Sequence, residues 1–255
     1  MLKISSYNVN GIRAAHRKGI LEWFDHTSPD IICLQETRAE KEQFPNEILD
    51  LGYHKSFVSA EKKGYSGVSI FTRHKPVQVK EGMNVEWIDR EGRILMNEFE
   101  AFKVYSVYVP SGTTGDYRQE LKMKFLDDFY AFGEGVLKDE KPSIICGDFN
   151  ICHTEIDIHN PKQNKNTSGF LIEEREWVSS FLELGFVDVF RALNKDIPHL
   201  YSWWSYRARS KAKNKGWRID YHFAHPKLAI RAKEALIEKD WDLSDHAPVT
   251  VSYDL

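Results

Sequence analysis

The sequence predicts an α/β fold built of layers, because short apolar runs recur along the chain and helical patterns lie between them. Turn-forming residues bound most of these runs, as is typical of β-strands. Strands are predicted at residues 2–7, 31–35, 68–72, 94–99, 103–109, 143–147, 219–224 and 247–253. Many short strands with interspersed helices are typical of a layered α/β domain.

Two helical patterns are clear, because their apolar residues recur at spacings of three and four. The apolar positions are Leu121, Phe125, Phe129, Phe132 and Val136 in the first pattern, and Trp177, Phe181 and Leu184 in the second. Gly185 stands where a helix commonly ends on a glycine, so the second helix is predicted to stop there. Residues 19–26 and 40–51 are weaker helix predictions.

The composition favours a single domain spanning residues 1–255. The chain is 42% hydrophobic and 13% aromatic, which is enough to bury a large core, and no Pro/Gly/Ser-rich linker or low-complexity tract divides it. The net charge of −3 argues against a wholly basic nucleic-acid-binding coat. It is compatible with a local basic patch.

The cysteines predict a reducing, cytoplasmic environment. Cys33, Cys146 and Cys152 form no CxxC pair, and the first two lie within predicted strands, where cysteine usually acts as a small hydrophobe. The first strand begins at residue 2, which leaves no room for a secretory leader. No apolar run approaches the roughly 20 residues that a membrane span needs.

Polar residues follow buried strands at five places, and most are carboxylates or amides. They are Asn8, Asn10, Glu36, Asp148, Asn150, Asp220, Asp245 and His246. Crowded carboxylates repel one another unless a cation, a shared proton or hydrogen bonds compensate. Oxygen ligands suit Mg²⁺ or Mn²⁺, so we predict a sparse metal site of Glu36 with Asn10 or Asp245. A histidine beside an acid, as in Asp245–His246, is more often structural than catalytic. An acid elsewhere in the chain could orient His246, and Asp220 is a candidate.

Two of these places share a strand motif. The stretches "PDIICLQE" (29–36) and "PSIICGDFN" (142–150) each run an Ile–Ile–Cys triplet into an acid. If the two strands lie side by side, their ends bring Glu36 and Asp148 to one rim. The repeat also hints at two similar halves, although shared strand propensity explains a triplet equally well.

The segment "WWSYRARSKAKNKGWR" (203–218) combines basic and aromatic residues and contains no acid. Its basic residues are Arg207, Arg209, Lys211, Lys213, Lys215 and Arg218, and its aromatic ones are Trp203, Trp204, Tyr206 and Trp217. A solvated loop with its tryptophans turned inward is one interpretation, and we expect Trp204 in the core. Cations beside flat rings also suit nucleic acid, through phosphates and bases. Arg13, Lys62, Lys63 and Arg93 are further phosphate-binding candidates.

Eight motifs follow one another along almost the whole chain: "SYNVNGIRA", "DIICLQET", "KKGYSGV", "EGRI", "VYVPSG", "ICGDFNICHTEIDIHNPK", "GWRIDY" and "SDHAPV". In this order they resemble the exonuclease III family of AP endonucleases, within the endonuclease/exonuclease/phosphatase superfamily. The resemblance implies a four-layered α/β sandwich of the DNase I-like type, with two packed mixed sheets flanked by helices. It also implies Mg²⁺-dependent hydrolysis of DNA 5′ to abasic sites in base excision repair, with 3′-phosphodiesterase, 3′-phosphatase and 3′→5′ exonuclease activities. The implied partner is double-stranded DNA with abasic sites or blocked 3′ ends, bound by a monomer that is nucleoid-associated if the source is prokaryotic.

The same resemblance implies a role for individual residues. It implies that Asp148, Asn150 and Asn8 position and activate water, and that His246, with Asp220 behind it, and Tyr108 contact the phosphate. Glu36 is implied as the metal ligand, with Asp245 near the metal. Trp203, Trp217 and Ile219 are implied to receive the extruded sugar, and Arg13, Tyr65, Arg93, Asn164, Tyr206 and Arg207 to face DNA.

The sequence departs from the family pattern at four places, and the first three leave the balance of activities open. Ser111 and Thr167 stand where many relatives have asparagine, the 111–118 loop is shorter than in several relatives, and Asn10 replaces an aspartate of some members. Two alternative functions remain. One is a phosphatase or phospholipase acting on a small phosphate ester, and the other is a catalytically silent DNA-binding module.

Overall fold

The computed structural model describes residues 1–255 and contains twelve β-strands and nine α-helices. The strands are β1 (Leu2–Asn8), β2 (Ile31–Gln35), β3 (His54–Val58), β4 (Val68–Thr72), β5 (Gln78–Glu81), β6 (Ile94–Glu98), β7 (Lys103–Tyr108), β8 (Ser143–Asp148), β9 (Val187–Asp188), β10 (Asp220–Ala224), β11 (Ala232–Ile237) and β12 (Val249–Tyr253). The helices are α1 (Ile12–Arg17), α2 (Ile20–Thr27), α3 (Asn46–Leu49), α4 (Glu86–Asp89), α5 (Asp116–Lys138), α6 (Pro161–Asn164), α7 (Ile172–Glu183), α8 (Val189–Leu193) and α9 (Pro226–Ala229). Short 3₁₀ turns cover Lys41–Gln43, Glu155–Asp157 and Arg207–Arg209.

The strands form two six-stranded mixed sheets with the same pattern of pairing. The first has the order β11-β12-β1-β2-β4-β3, and the second has the order β5-β6-β7-β8-β10-β9. Each sheet has one parallel pair at its centre, β1–β2 in the first and β7–β8 in the second, and every other pair is antiparallel. In both sheets, therefore, the carboxyl ends of the two central parallel strands lie at the same edge of the sheet.

Three apolar clusters divide the molecule into four layers. The cluster between the sheets includes Ile4 and Cys33 from the first sheet and Ile144 and Cys146 from the second. A second cluster packs α5 and α7 on the outer face of the second sheet, and a third packs α1 and α2 on the outer face of the first. This arrangement confirms the predicted sandwich of two sheets flanked by helices.

All eight predicted strands are present, and the four strands that were not predicted are the four sheet edges. These are β3, β5, β9 and β11. An edge strand need not be apolar on both faces, and natural edges carry polar residues. The strand β5, for example, reads "QVKE" and is exposed at every position. The apolar pattern therefore marks central strands only.

The two clear helices are confirmed as α5 and α7, and the Gly185 stop is confirmed because that residue has φ +126° directly after the helix. Residues 19–26 correspond to α2, whereas residues 40–51 hold only a 3₁₀ turn and the single-turn α3. None of the helices combines the length and the apolar character that crossing a membrane requires.

The two Ile–Ile–Cys strands do not lie side by side, because β2 belongs to the first sheet and β8 to the second. They face each other across the sheet interface, with Cys33 and Cys146 in the same buried cluster. Side chains alternate along a strand, so each triplet fixes which residues point inward. In β8 this alternation directs Asp148 into the space between the sheets, where it is 1% exposed. The shared rim was predicted correctly, but the pairing was not.

Candidate active site

The ends of four central strands meet at one edge of the sandwich. Asn8 ends β1, Glu36 follows β2, Asp148 ends β8, and Asp220 begins β10 directly opposite Asp148 in the antiparallel register. His246 lies just before β12. These ends border a cleft of about 330 Å³ whose lining includes Glu36, Asp148 and His246.

Hydrogen bonds connect the polar side chains into one network. The Asp220 carboxylate accepts from His246 Nδ1 at 3.0 Å and from Ser202 Oγ at 2.6 Å. The other ring nitrogen, His246 Nε2, lies 3.8 Å from Asp148 Oδ2. Asn8 Nδ2 donates to Asp148 Oδ2 at 2.8 Å and to Glu36 Oε2 at 3.0 Å. The amide of Asn8 therefore links the two acids that follow the Ile–Ile–Cys triplets.

The charges in this network shift each other's titration. Burial raises the pKa of the Asp148 carboxyl, His246 lowers it and Asp220 raises it, and together these effects bring the pKa to about 7. Burial alone would lower the pKa of His246, but the carboxylates of Asp220 and Asp148 raise it to about 10. At neutral pH the imidazolium form is therefore favoured, and Asp148 can exchange a proton.

Four residues of the cleft, including Arg38 with φ +50°, have left-handed backbone conformations that side chains seldom adopt. Asn10 has φ +46°, Glu36 has φ +54° and Asn150 has φ +54°. Asparagine tolerates this region, whereas glutamate seldom does. Asn150 is further held because its N–H donates to Asp148 Oδ1 at 2.8 Å and its Nδ2 donates to the Val109 carbonyl at 2.9 Å. Such conformations cluster at functional sites, where the surrounding structure fixes them.

The donor set of the cleft fits a hard cation. Glu36, Asn10 and Asp245 line it together, and Asn10 Nδ2 donates to Asp245 Oδ1 at 2.8 Å, which leaves its amide oxygen free to act as a ligand. Asp148, Asp220 and His246 also bring ligand atoms within 4.8 Å of one another. The His246–Asp220 hydrogen bond occupies part of that group, so the oxygens near Glu36 are the better metal ligands. Carboxylates outnumber cations here, which favours an added positive charge.

One wall of the cleft is apolar. Trp203 and Trp217 pack edge to face with ring centroids 5.7 Å apart, and both rest on a small core that contains Ile219. Trp203 Nε1 donates to Asp245 Oδ2 at 3.1 Å, which ties this wall to the acidic side. The pocket that was predicted at Trp203, Trp217 and Ile219 is thus continuous with the polar network.

Of the six residues that the resemblance implied to face DNA, five are exposed or half-buried. Arg13, Tyr206 and Arg207 are exposed, and Tyr65 is half-buried. Asn164 is half-buried, and its Nδ2 donates to the carbonyls of His159 and Asn160, so it shapes its own turn.

Arg93 departs from its predicted exposure, because it is only 1% exposed. Its guanidinium contacts Glu91, the carbonyl of Tyr108 and the hydroxyl of Tyr65 at 2.5 to 3.0 Å. It therefore orients Tyr65 and Tyr108.

Arg218 also differs from the basic segment in which it was counted. It is fully buried and pairs with Asp157 at 2.6 Å and with Asp188 at 2.8 Å. The remaining basic residues of 203–218 are exposed or half-buried. Trp204 is buried, as predicted.

The sequence analysis missed one charged residue of the cleft. Arg38 lines it and forms an ion pair with Glu36. Arg38 stands two positions after Glu36, so the end of the "LQETR" stretch was the available signal. Thr113 and Ser168 also line the cleft and follow no strand, so no pattern in the sequence indicated them.

Comparisons with known proteins identify the family and the fold. Residues 5–246 match the model of the Endonuclease/Exonuclease/phosphatase family. An exodeoxyribonuclease of Bacillus subtilis is 43% identical over 97% of this chain and 98% of its own length. An AP endonuclease structure from Archaeoglobus fulgidus superposes with a TM-score of 0.91 at 31% identity, and a 3′–5′ exonuclease structure from Neisseria meningitidis with 0.92 at 25%; each covers 100% of both chains. The findings confirm the family, the sandwich fold and the nuclease class predicted from the sequence. The chain belongs to the endonuclease/exonuclease/phosphatase family.

Proposed function

We propose that this chain is a Mg²⁺-dependent DNA repair nuclease that hydrolyses the phosphodiester 5′ to an abasic site and removes blocking groups from 3′ ends. The observation that carries the proposal is the continuous network from Asp220 through His246 and Asp148 to Asn8 and Glu36, beside an apolar pocket. The names of the relatives, which include an exodeoxyribonuclease and an AP endonuclease, support this substrate class.

Hydrolysis at phosphorus needs a positioned water, neutralised charge on the phosphoryl oxygens and a stabilised leaving oxygen. Asp148 accepts the proton of the attacking water, and Asn8 and Asn150 hold its carboxylate in place. His246 donates from Nε2 to a phosphoryl oxygen, because its Nδ1 is committed to Asp220. Tyr108 is a second donor, since burial raises the pKa of its hydroxyl well above the usual value and keeps it protonated.

The metal in this proposal is held by Glu36, with Asn10 and Asp245 nearby, and Mn²⁺ is expected to substitute. When bound, the cation neutralises charge on the phosphate and stabilises the leaving oxygen. Arg38 already places one positive charge beside Glu36.

Selectivity for abasic sites follows from the apolar wall. A sugar without a base has no pairing to lose, so it leaves the stack at least cost. Trp203, Trp217 and Ile219 offer that sugar an apolar surface at one wall of the cleft, and the proposal requires that this wall exclude a sugar that still carries a base. The exposed cations of the 203–218 segment, together with Arg13, supply phosphate contacts along the duplex.

A duplex oligonucleotide with one abasic analogue tests the proposal. With Mg²⁺ we expect a single nick 5′ to the analogue and release of phosphate from a 3′-phosphate end, and with EDTA we expect neither. An intact duplex serves as the control for exonuclease digestion. If no nick forms at the analogue with Mg²⁺, the proposal is wrong.

The same assay separates the two alternatives. A phosphatase or phospholipase would hydrolyse a small phosphate ester, and DNA would not compete with that substrate. A silent binding module would retain DNA without cleaving it under any condition. The exposed basic and aromatic segment 203–218 favours DNA over a small ester.

We further propose that residues 1–255 act as one catalytic domain and as a monomer in the cytoplasm. The three cysteines are free and buried, which suits a reducing compartment. Light scattering on the purified protein tests the monomer.

A further inference from the structure

A buried lysine–glutamate pair lies directly beneath the cleft. Lys122 comes from α5 and Glu174 from α7, and neither side chain has any exposed surface. Lys122 Nζ lies 2.5 Å from Glu174 Oε1. A buried ion pair contributes little net stability compared with apolar residues of the same volume, so its presence calls for another reason.

The lysine holds the loop that carries two site residues. Lys122 Nζ donates to the backbone carbonyl of Asn150 at 2.8 Å. Asn150 has φ +54°, and its own N–H donates to Asp148 Oδ1. The ammonium therefore fixes the peptide group between residues 150 and 151, which adjoins the peptide group whose N–H orients the Asp148 carboxylate.

The glutamate holds the facing wall. Glu174 Oε2 accepts from the N–H groups of Gly169 at 2.6 Å and Leu171 at 3.0 Å. Gly169 has φ +95°, and a Cβ there would lie 2.8 Å from the Trp217 ring and 3.0 Å from the Asn150 carbonyl oxygen. The backbone at Gly169 thus passes between the apolar wall and the Asn150 loop.

Helix capping explains only part of these contacts. Glu174 is the third residue of α7, so its bond to the Leu171 N–H is an ordinary capping interaction. Capping needs neither a bond to Gly169 nor a lysine on the Asn150 carbonyl. Those two contacts point toward the cleft.

We propose that Lys122 is a positioning residue for phosphodiester hydrolysis: its ammonium fixes the Asn150 carbonyl and through it the orientation of Asp148. This inference rests on the proposed function for its kinetic test. Glu174 balances the charge of Lys122 and accepts from the backbone of the 167–171 loop, and neither contact requires it for the reaction.

Two matched variants separate positioning from stability. Lys122→Met and Glu174→Gln each break the buried pair, but only the first removes the donor to the Asn150 carbonyl. Glu174→Gln retains a side-chain oxygen for the Gly169 N–H, and the amine of Lys122 remains a donor. We expect Lys122→Met to lower kcat on the abasic duplex by about 10²-fold with KM within about threefold, since small misplacements cost that much. Glu174→Gln should stay within about fivefold of wild type in kcat by the same reasoning.

Equal losses of kcat in the two variants, or a wild-type kcat in Lys122→Met, would overturn the proposal. If Lys122→Met does not fold, the double variant Lys122→Met/Glu174→Gln replaces it, because it buries no unpaired charge.

Hydrogen exchange gives a readout that needs no cleavage. Peptides covering 147–152 should exchange faster in Lys122→Met than in Glu174→Gln, and equal exchange would contradict the positioning role even if the chain fails to nick abasic DNA.

Discussion

Two groups of buried carboxylates lie close together at one end of the second sheet and beside it, and their charges are balanced differently. The reaction cluster consists of Asp148, Asp220 and His246, in which two acids share one histidine. The arginine cluster consists of Asp157, Asp188, Arg191 and Arg218, in which two acids meet two guanidiniums. The two clusters are adjacent, because Arg218 and Asp220 are two residues apart in the chain.

The difference in balance has opposite electrostatic consequences. In the reaction cluster burial dominates and raises the pKa of Asp148. In the arginine cluster burial alone would raise the pKa of Asp157, but Arg218 and Arg191 hold it well below its usual range. In a balanced cluster the protein's own groups neutralise each other's charge, so the cluster stabilises the fold. In an unbalanced cluster excess negative charge remains, so it can still bind a cation or exchange a proton. We therefore assign structure to the arginine cluster and chemistry to the reaction cluster.

The largest expected effect comes from Asp148→Asn, which removes the proposed general base but keeps the shape of the side chain. We expect kcat on the abasic duplex to fall by about 10²–10⁴-fold, the usual contribution of general acid–base catalysis, with DNA affinity changed little. Single-turnover nicking and fluorescence anisotropy of the same duplex measure the two quantities.

The matched change in the arginine cluster is Asp188→Asn. It should lower stability while the folded protein keeps kcat within about tenfold of wild type, the scale of a change outside the chemistry. Near-wild-type nicking by Asp148→Asn would contradict the assignment of that residue.

The next effect is on stability and comes from Arg218→Met. The substitution leaves Asp157 and Asp188 buried with less positive charge, so the free energy of unfolding should fall by about 3–5 kcal/mol. Arg231→Met is the control, because its pair with Asp254 is about half exposed and is worth at most about 1 kcal/mol. Urea unfolding followed by tryptophan fluorescence compares them. Equal losses would mean that the arginine cluster is no more than a surface-type pair.

Part of this contrast could be read from the sequence. The apolar triplets before Glu36 and Asp148 predicted which acids end buried strands, and the ordered motifs predicted the family and thereby the Asp220–His246 pair. The burial of Arg218 could not be predicted, because its partners Asp157 and Asp188 lie 61 and 30 residues away and only the fold brings them together. Lys122 escaped for the same reason, since a lysine on an amphipathic helix is normally solvated. Edge strands were missed because packing on one face leaves no strong pattern.

The smallest expected effect, and the most direct comparison of the clusters, is the pH dependence of stability in metal-free protein. The folded-state pKa of Asp148 is raised from its ordinary value near 4 to about 7, so between those pH values the folded state binds a proton that the unfolded state has lost. Wild type therefore loses stability through this group as pH rises across that window, and Asp148→Asn does not. The folded-state pKa of Asp157 is lowered, so its contribution is present above about pH 4 and is lost as pH falls further. The stability of Asp148→Asn relative to wild type should thus increase from about pH 4 to 7, whereas that of Asp157→Asn should decrease as pH rises through about 4. Urea titrations at a series of pH values measure both differences. Slopes of the same sign would mean that the two clusters do not differ in charge balance, and the division between structure and chemistry drawn from it would be wrong.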